Sequence, residues 1–360
     1  PSGVQYGRLI EPFRVEIEQA DRRNGKSRNR GWFHRWILHG LFPSPRKMRF
    51  ALLPARLMQL LRLDRVVEAI GLTKLLPTKL QRMYSLLPRL RGRSKPFPEV
   101  LPAVGKRRAR VALFTGCVAD VLFSETHWAT VRVLQQNGCE VVIPRKQVCC
   151  GAIHYHSGAA EPALQFARTN AEVFPTDDLD AVILNVAGCG AMLKDYGHIA
   201  AEIDPQNEAQ QKLLSGFAGK VKDVCEFLAE LGPKQPTGRI PIRATYHDAC
   251  HLAHAQQIRA QPRQLLEMIP GLELVPMPES DICCGAAGSY NLTEADMSDR
   301  LADRKLRNIL STDVQAVITG NAGCSLQLQS VLKRSGNPLW VAHPMDILDR
   351  SYRGLPAPVK

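Results

Sequence analysis

The sequence predicts an α/β protein with two repeated βα modules on parallel sheets, preceded by a basic, mainly helical N-terminal region. Three observations predict this fold. Short apolar runs alternate with helical patterns from residue 111 onward, a set of cysteine motifs occurs twice, and the charge changes sign along the chain. The 360 residues, 45% of them hydrophobic, suffice for two or three domains, which excludes a disordered tail and a disulfide-stapled miniprotein.

The N-terminal region, residues 1–107, is strongly basic. The whole chain carries +13, but residues 1–110 hold 25 basic and 7 acidic residues, whereas residues 111–360 hold 22 and 27. This asymmetry indicates an anionic partner for the basic part, which could be a membrane surface, an acidic protein or nucleic acid. Nucleic acid is disfavoured, because the sequence has no zinc-finger, RNP or helix-turn-helix signature.

The segment from Leu52 to Leu72 has apolar residues every three or four positions. It predicts one amphipathic helix, or two helices broken near Pro54. Such a helix usually packs on its own domain with its basic face in water, but it can also lie on a membrane surface. The chain has neither a signal peptide nor a long apolar run, so we predict a cytoplasmic protein, with peripheral contact to the inner membrane as an extension.

The first module is predicted at residues 108–232 and the second at residues 240–352, with a linker rich in Gly and Pro between them. In the first module, the predicted strands are 111–114, 141–143 and 181–184, and the predicted helices are 125–137 and 159–174. The first module also has about fifteen extra residues, which the offsets of the repeat place mainly around 197–212.

Eight of the ten cysteines occupy equivalent positions in the two modules. The first module has Cys117, Cys149, Cys150 and Cys189, and the second has Cys250, Cys283, Cys284 and Cys324. The offset between equivalent cysteines rises only from 133 to 135 residues along the modules. Cys139 and Cys225 have no equivalent cysteine, and we predict that both are small buried apolar residues.

Each of the eight cysteines follows a predicted strand or lies in the next turn. Ligands gather at the carboxyl ends of parallel strands, so the four thiolates of one module could converge there. Four thiolates suit an iron–sulfur cluster or tetrahedral zinc, and the absence of Cys-x-x-Cys pairs favours iron and sulfide. A vicinal disulfide and a redox dithiol are the other interpretations of Cys149-Cys150.

Three histidines lie near Cys250 in the second module: His247, His251 and His254. They could bind a metal, donate to cluster sulfur or be structural residues. Glycines beside the cysteines allow tight turns in which backbone N–H groups reach sulfur.

These motifs resemble the CCG cysteine-rich domains of heterodisulfide reductase subunits, lactate-utilisation iron–sulfur proteins and, best of all, glycolate oxidase iron–sulfur subunits. The resemblance rests on residues 246–252 (YHDACHL), 282–290 (ICCGAAGSY) and 319–324 (TGNAGC). Residues 1–7 resemble the stretch after the family's second ferredoxin-type cysteine run. The chain is therefore expected to be a C-terminal fragment without the N-terminal ferredoxin-type domain.

The resemblance implies that the eight paired cysteines hold 4Fe–4S clusters, although one module could hold zinc instead. Met192 and Gln327 stand where heterodisulfide-reductase-like members have a fifth cysteine, so four cysteines per cluster are expected. No catalytic residue is assigned to this chain.

The implied function is that of an electron-transfer subunit of a glycolate oxidase. Flavoprotein partner subunits would oxidise glycolate to glyoxylate, and this chain would pass the electrons to a quinone-type membrane acceptor. The alternatives are a lactate-utilisation subunit, a heterodisulfide-reductase-like subunit that reduces disulfides, and a non-redox scaffold stabilised by zinc.

Overall fold

A computed structural model describes residues 6–27, 31–90, 95–286 and 288–359. Residues 1–5, which carry part of the resemblance at the N-terminus, lie outside these ranges. None of the helices in the described ranges is both long and apolar enough to cross a bilayer.

The region before the first sheet is helical, as predicted. Its elements are α1 (Tyr6–Arg23), a π-helix (Phe33–Leu41), α2 (Pro45–Ala51), α3 (Leu53–Leu60), α4 (Leu63–Ala69), a 3-10 helix (Leu72–Leu75) and α5 (Thr78–Ser85). The predicted amphipathic segment is broken at Leu52, so that Pro54 lies in the first turn of α3, where a missing N–H is tolerated. A second break follows at Arg62, whose φ is 58°. No side chain of α3 is buried, so this helix does not pack an apolar face into a core of its own.

The first module forms a five-stranded sheet. Its strands are β1 (Val100–Leu101), β2 (Ala109–Leu113), β3 (Cys139–Val142), β4 (Ala181–Leu184) and β5 (Val221–Asp223). Its helices are α6 (Val118–Leu122), α7 (Ser124–Gln136), α8 (Ala152–His156), α9 (Ala160–Val173), α10 (Ala187–Lys194), α11 (Tyr196–Ile203), α12 (Glu208–Lys220) and α13 (Val224–Leu231).

The strand order is β1-β3-β2-β4-β5, and all pairs are parallel except β1 with β3. The antiparallel edge strand β1 lies upstream of the predicted module, in a segment whose two strand residues are too few to show a pattern. The two helices predicted in this module are confirmed as α7 and α9. The extra residues around 197–212 form most of α11 and the start of α12.

The second module forms a four-stranded sheet in which every pair is parallel, in the order β7-β6-β8-β9. Its strands are β6 (Arg243–Tyr246), β7 (Glu273–Leu274), β8 (Ala316–Ile318) and β9 (Trp340–Ala342). Its helices are a π-helix (His251–Ala255), α14 (Ala260–Glu267), α15 (Tyr290–Thr293), α16 (Ala295–Leu310), α17 (Ala322–Arg334) and α18 (Pro344–Tyr352). The predicted α/β class with two repeated βα modules is confirmed.

The two modules share one apolar core. Side chains of α7 and α13 from the first module pack with side chains of α14 and α18 from the second, and this cluster reaches both sheets. Separate clusters cover the opposite face of each sheet. Because the shared helices connect the two sheets, the modules are held in one arrangement, and the carboxyl ends of their strands meet.

A bidentate ion pair also joins the modules. Arg132 of α7 donates from Nε and Nη2 to the carboxylate of Asp349 in α18, at 2.8 and 2.7 Å, and this carboxylate is almost fully buried.

We expect Arg132→Met to lower the free energy of unfolding by about 1–2 kcal/mol, because Asp349 keeps only its contact with Arg353. Chemical denaturation measures this effect. Arg107→Met, which removes an exposed pair with Glu140, should change the free energy by less than about 0.5 kcal/mol. An equal loss in both variants would contradict the prediction.

Two candidate metal centres

Each set of four cysteines lies at the carboxyl edge of its sheet. In the first module Cys117 caps α6 just beyond β2, and Cys189 lies in the first turn of α10 just beyond β4. In the second module Cys324 lies in the first turn of α17, just beyond β8. The N-terminal ends of α10 and α17 carry positive partial charge, which favours thiolate there.

The four cysteines of the first module converge. The sulfur of Cys117 lies 3.3 Å from that of Cys149, and the sulfur of Cys150 lies 3.5 Å from that of Cys189. Cys149 and Cys150 are adjacent in the chain, so the two pairs form one group. All ten cysteines are free thiols, and no vicinal disulfide is present.

The second module repeats this arrangement. Cys250 contacts Cys283, and Cys284 contacts Cys324. The sulfurs of Cys284 and Cys324 and a ring nitrogen of His247 all lie within 4.8 Å of one another. The structure therefore brings all eight predicted cysteines together, in two groups of four.

The glycine after each cysteine pair makes the turn that the sequence predicts. Gly151 and Gly285 both have a φ of 85°, in the left-handed region that glycine favours. Their N–H groups donate to the sulfurs of Cys149 and Cys283, at 3.5 and 3.3 Å. A Cβ at Gly285 would lie 2.4 Å from the carbonyl oxygen of Ser298, so only glycine fits this turn.

Neighbouring thiols stabilise one thiolate in the first group, Cys150, and two in the second, Cys283 and Cys324. Hydrogen bonding with Cys149 and Cys189 lowers the pKa of Cys150 well below its usual range, and hydrogen bonding with Cys284 does the same for Cys324. Since thiolate is the form that binds metal, both groups are prepared for a thiolate-ligated centre. A buried group of four sulfurs and a backbone N–H donor suits an iron–sulfur cluster.

Cys139 and Cys225 are buried, as predicted. Burial raises the pKa of Cys139 to about 11 and raises that of Cys225 well above the ordinary value, so both stay protonated thiols. Cys139 lies in β3 and Cys225 in α13, where both belong to the apolar core.

The cysteine loops are also held by residues that the sequence analysis did not identify. Asn170 donates to the carbonyl oxygen of Cys149 at 3.1 Å, and Tyr196 donates to that of Cys150 at 2.9 Å. In the second module, the residue equivalent to Asn170 at an offset of 135 is Lys305, which is fully buried. The repeat offset is the signal that could have found this pair.

The three histidines near Cys250 have different surroundings. His247 is fully buried beside the cysteines. His251 lies with Nδ1 3.4 Å from the sulfur of Cys250, and its ring lies 5.9 Å from that of His156 in the first module. His254 is exposed and accepts a hydrogen bond from Arg259, so it is not part of the centre.

Asn321 connects the two centres. Its Oδ1 accepts a hydrogen bond from the N–H of Gly188, next to Cys189, at 3.1 Å. Its Nδ2 donates to the sulfur of Cys324 at 3.3 Å. One side chain therefore links the cysteine-bearing helix of each module.

Comparison with known proteins gives two family matches. The family described as "Cysteine-rich domain" matches residues 111–194 and 244–329. The family described as "Glycolate oxidase iron-sulfur subunit, linker region" matches residues 29–87, which include α2 to α5.

Curated relatives agree with these matches. The probable glycolate oxidase iron–sulfur subunit of Bacillus subtilis (strain 168) is 37% identical over 341 residues, covering 93% of this chain and 75% of the relative. The glycolate oxidase iron–sulfur subunit of Escherichia coli (strain K12) is 29% identical, covering 98% and 78%. Lactate utilization protein A of Geobacillus kaustophilus (strain HTA426) is 34% identical, covering 67% and 98%.

Among solved structures, a putative Asp/Glu racemase from Yersinia pestis matches 68% of this chain and 98% of its own length, with 11% identity. Its TM-score of 0.29 is too low to carry an argument. The two cysteine-rich domains, the linker region and the curated relatives agree with one another, and the chain belongs to the family of glycolate oxidase iron–sulfur subunits.

Proposed function

We propose that this chain is the electron-transfer subunit of a glycolate oxidase and that each candidate centre holds a 4Fe–4S cluster. The eight paired cysteines would be the ligands. The observation that carries the proposal is the convergence of four cysteine sulfurs in each module, at the carboxyl ends of the strands. An iron–sulfur cluster takes up and releases single electrons at a potential that ligation, hydrogen bonds and burial determine.

The proposal divides the chain by task. Residues 1–107 form a basic, mainly helical docking region, apart from β1, which pairs with the first sheet. Residues 108–232 form the first cysteine-rich module and residues 240–352 the second. Glycolate would be oxidised to glyoxylate on flavoprotein partner subunits, and the electrons would leave toward a quinone-type acceptor in the membrane. The relatives named as glycolate oxidase subunits support this assignment.

The contact between the centres supports transfer from one to the other. Asn321 bridges Gly188 and Cys324 by two hydrogen bonds, and a short chain of bonds favours electron passage between the two groups of cysteines. The rings of His156 and His251 approach each other at the same boundary.

Metal analysis of anaerobically purified protein tests the proposal. We expect a brown protein with about four iron and four sulfide per module, the content of a 4Fe–4S cluster. A colourless protein with stoichiometric zinc in both modules would instead support the zinc-stabilised scaffold. Disulfide reduction by the isolated chain would support the heterodisulfide-reductase-like alternative.

We further propose that the protein is cytoplasmic and that its helical region docks on the anionic cytoplasmic face of the inner membrane. Large apolar side chains are exposed along α3, α4 and the turn that follows: Leu53, Leu57, Leu60, Leu61, Leu63, Val66, Ile70, Leu72 and Leu75. Exposed basic side chains lie among them, namely Arg46, Lys47, Arg62, Arg65 and Lys79, whereas residues 45–90 contain only two acidic residues.

This combination suits a lipid surface in particular. A protein partner could also cover the apolar side chains. The dense positive charge around them favours a lipid surface, because basic side chains attract acidic headgroups, as in helices that lie in the membrane interface. The exposed fraction reaches 79% at Leu60 and 80% at Leu75, so these side chains are free to enter the headgroup region.

We predict that the protein binds vesicles that contain anionic phospholipid and that Leu57→Gln/Leu60→Gln weakens this binding. Each leucine that leaves the lipid interface should cost about tenfold in affinity, since burying it is worth about 1.5 kcal/mol or more. Sedimentation with vesicles measures the affinity. Leu213→Gln, at an exposed leucine of the first module, is the matched control and should change nothing. Failure to bind anionic vesicles would contradict the proposal and leave an acidic partner protein as the occupant.

A further inference from the structure

The second centre contains a nitrogen donor at a position where the first centre has a phenyl ring. His247 directly follows β6, and its N–H donates to the carbonyl oxygen of Ile318 at 2.8 Å. In the first module Phe114 directly follows β2, and its N–H donates in the same way to Ile183, also at 2.8 Å. The two positions are therefore structurally equivalent, and the imidazole of His247 occupies the place of a phenyl ring.

The imidazole of His247 is buried, and only one of its two ring nitrogens makes a regular hydrogen bond. His247 is 0% exposed, and its Nδ1 lies 3.2 Å from the carbonyl oxygen of Ser280. Its Nε2 is buried and has no nitrogen or oxygen partner, and the ring lies close enough to Cys324 to lower the pKa of that thiol. A buried polar atom is costly unless it has a partner, and the groups nearest to this nitrogen are the cysteine sulfurs.

The Ser280 contact determines which nitrogen carries the proton. A carbonyl oxygen only accepts hydrogen bonds, so Nδ1 must donate to it. Lys305 donates to the same carbonyl oxygen at 3.2 Å. With the proton on Nδ1, a neutral imidazole has its lone pair on Nε2. Metal-binding histidines are commonly oriented in this way, by a carbonyl that fixes the other nitrogen.

The free nitrogen lies among the sulfurs. A ring nitrogen of His247 and the sulfurs of Cys284 and Cys324 are within 4.8 Å of one another, a spacing that one metal ion can bridge. Gln327, three residues after Cys324 on α17, is not available as a ligand. Its side chain accepts from Asn291 at 3.1 Å and donates to Ser298 at 3.1 Å.

We propose that Nε2 of His247 is a ligand to iron in the second centre in addition to its four cysteines, which gives one iron two protein ligands, so that the two modules hold differently ligated clusters. The inference rests on the proposed function, because it requires iron in the second module. His251 and His254 stay outside the ligand set. The first centre, which has Phe114 at the equivalent position, has sulfur ligands from the protein only.

Pulsed EPR tests whether His247 binds iron directly, using reduced protein from cells grown with ¹⁵N-labelled histidine. We expect a nitrogen hyperfine coupling of the size of a direct iron–nitrogen bond, which changes between ¹⁴N and ¹⁵N samples. His247→Gln should abolish it, whereas His251→Gln, beside Cys250 in the same module, should retain it. His247→Cys provides a sulfur donor at the same place and should keep the iron while losing the nitrogen coupling.

The possible failures are distinguishable. Iron present in the second module without a strong nitrogen coupling would overturn the ligand assignment alone, as would a coupling that persists in His247→Gln. A second module without iron, shown by an iron content that Cys284→Ser does not change, would overturn the proposed function and this inference with it. If His247→Gln does not fold, the labelled unmodified protein and His251→Gln still decide whether a histidine other than His251 binds iron.

Discussion

Cys284→Ser is expected to remove the iron of the second centre and to leave that of the first. Cys284 is 2% exposed and contacts both Cys283 and Cys324, so its replacement breaks the middle of the second group of cysteines. A buried serine hydroxyl is a much poorer ligand for iron than thiolate. We therefore expect the iron content to fall by about half, as for the loss of one of two equal clusters. Cys150→Ser should have the same effect on the first centre.

Cys225→Ala and Cys139→Ala are the controls. Both residues are as deeply buried as the proposed ligands, but they are protonated thiols in the apolar core, outside the two groups. Their iron content should equal that of the unmodified protein, apart from a modest loss of stability from a small cavity. Iron analysis with visible absorbance measures all four variants. A loss of iron in Cys225→Ala as large as in Cys284→Ser would show that the repeat assigns the wrong cysteines.

The internal repeat explains why so much of the fold and of the site could be predicted. Cysteines that recur at equivalent positions, such as Cys117 with Cys250 and Cys150 with Cys284, can be identified as candidate ligands without any other sequence for comparison. Ligands gather at the carboxyl ends of parallel strands, and this rule predicts that the four cysteines of one module lie close together. The structure brings the four cysteines of each module within contact of one another, and it buries Cys225 elsewhere.

Other features depend on three-dimensional neighbours and could not be predicted. The edge strand β1 is two residues long and exists only because it pairs with β3. His247 is one of three histidines of equal interest in the sequence, and its burial beside Cys284 and Cys324 and the carbonyl of Ser280 distinguish it in the structure. The exposed apolar side chains of α3 look like an ordinary core pattern in sequence, and their exposure follows from how the chain packs.

Lys305 gives the two centres different electrostatic surroundings. Its side chain is 0% exposed, and its Nζ donates to the carbonyl oxygens of Glu279 and Ser280, at 2.6 and 3.2 Å. Burial lowers the pKa of Lys305 to about 8, against the opposing effect of Cys284, so the side chain stays mainly cationic at neutral pH. The equivalent residue of the first module is the neutral Asn170.

A fixed cation beside an iron–sulfur cluster favours the reduced state, which carries one more negative charge, and so raises the reduction potential. Lys305→Gln should therefore lower the potential of the second centre. Two charges about 4 Å apart interact by about 1–4 kcal/mol, depending on how much water surrounds them, and by less at larger separations. For one electron, at 59 mV per tenfold change in equilibrium constant, this corresponds to a lowering of roughly 50–150 mV. The first centre should keep its potential.

A redox titration monitored by EPR measures both potentials. Arg304→Gln is the matched control, because it removes a positive charge from the adjacent position of α16, where the side chain is 52% exposed and paired with Glu279. Solvent screens that charge, so the potential should hardly change. An equal shift in both variants, or none in Lys305→Gln, would contradict the prediction. The same titration compares the two centres of the unmodified protein, and a higher potential at the second centre would favour electron transfer toward it from the first, across the hydrogen bonds of Asn321.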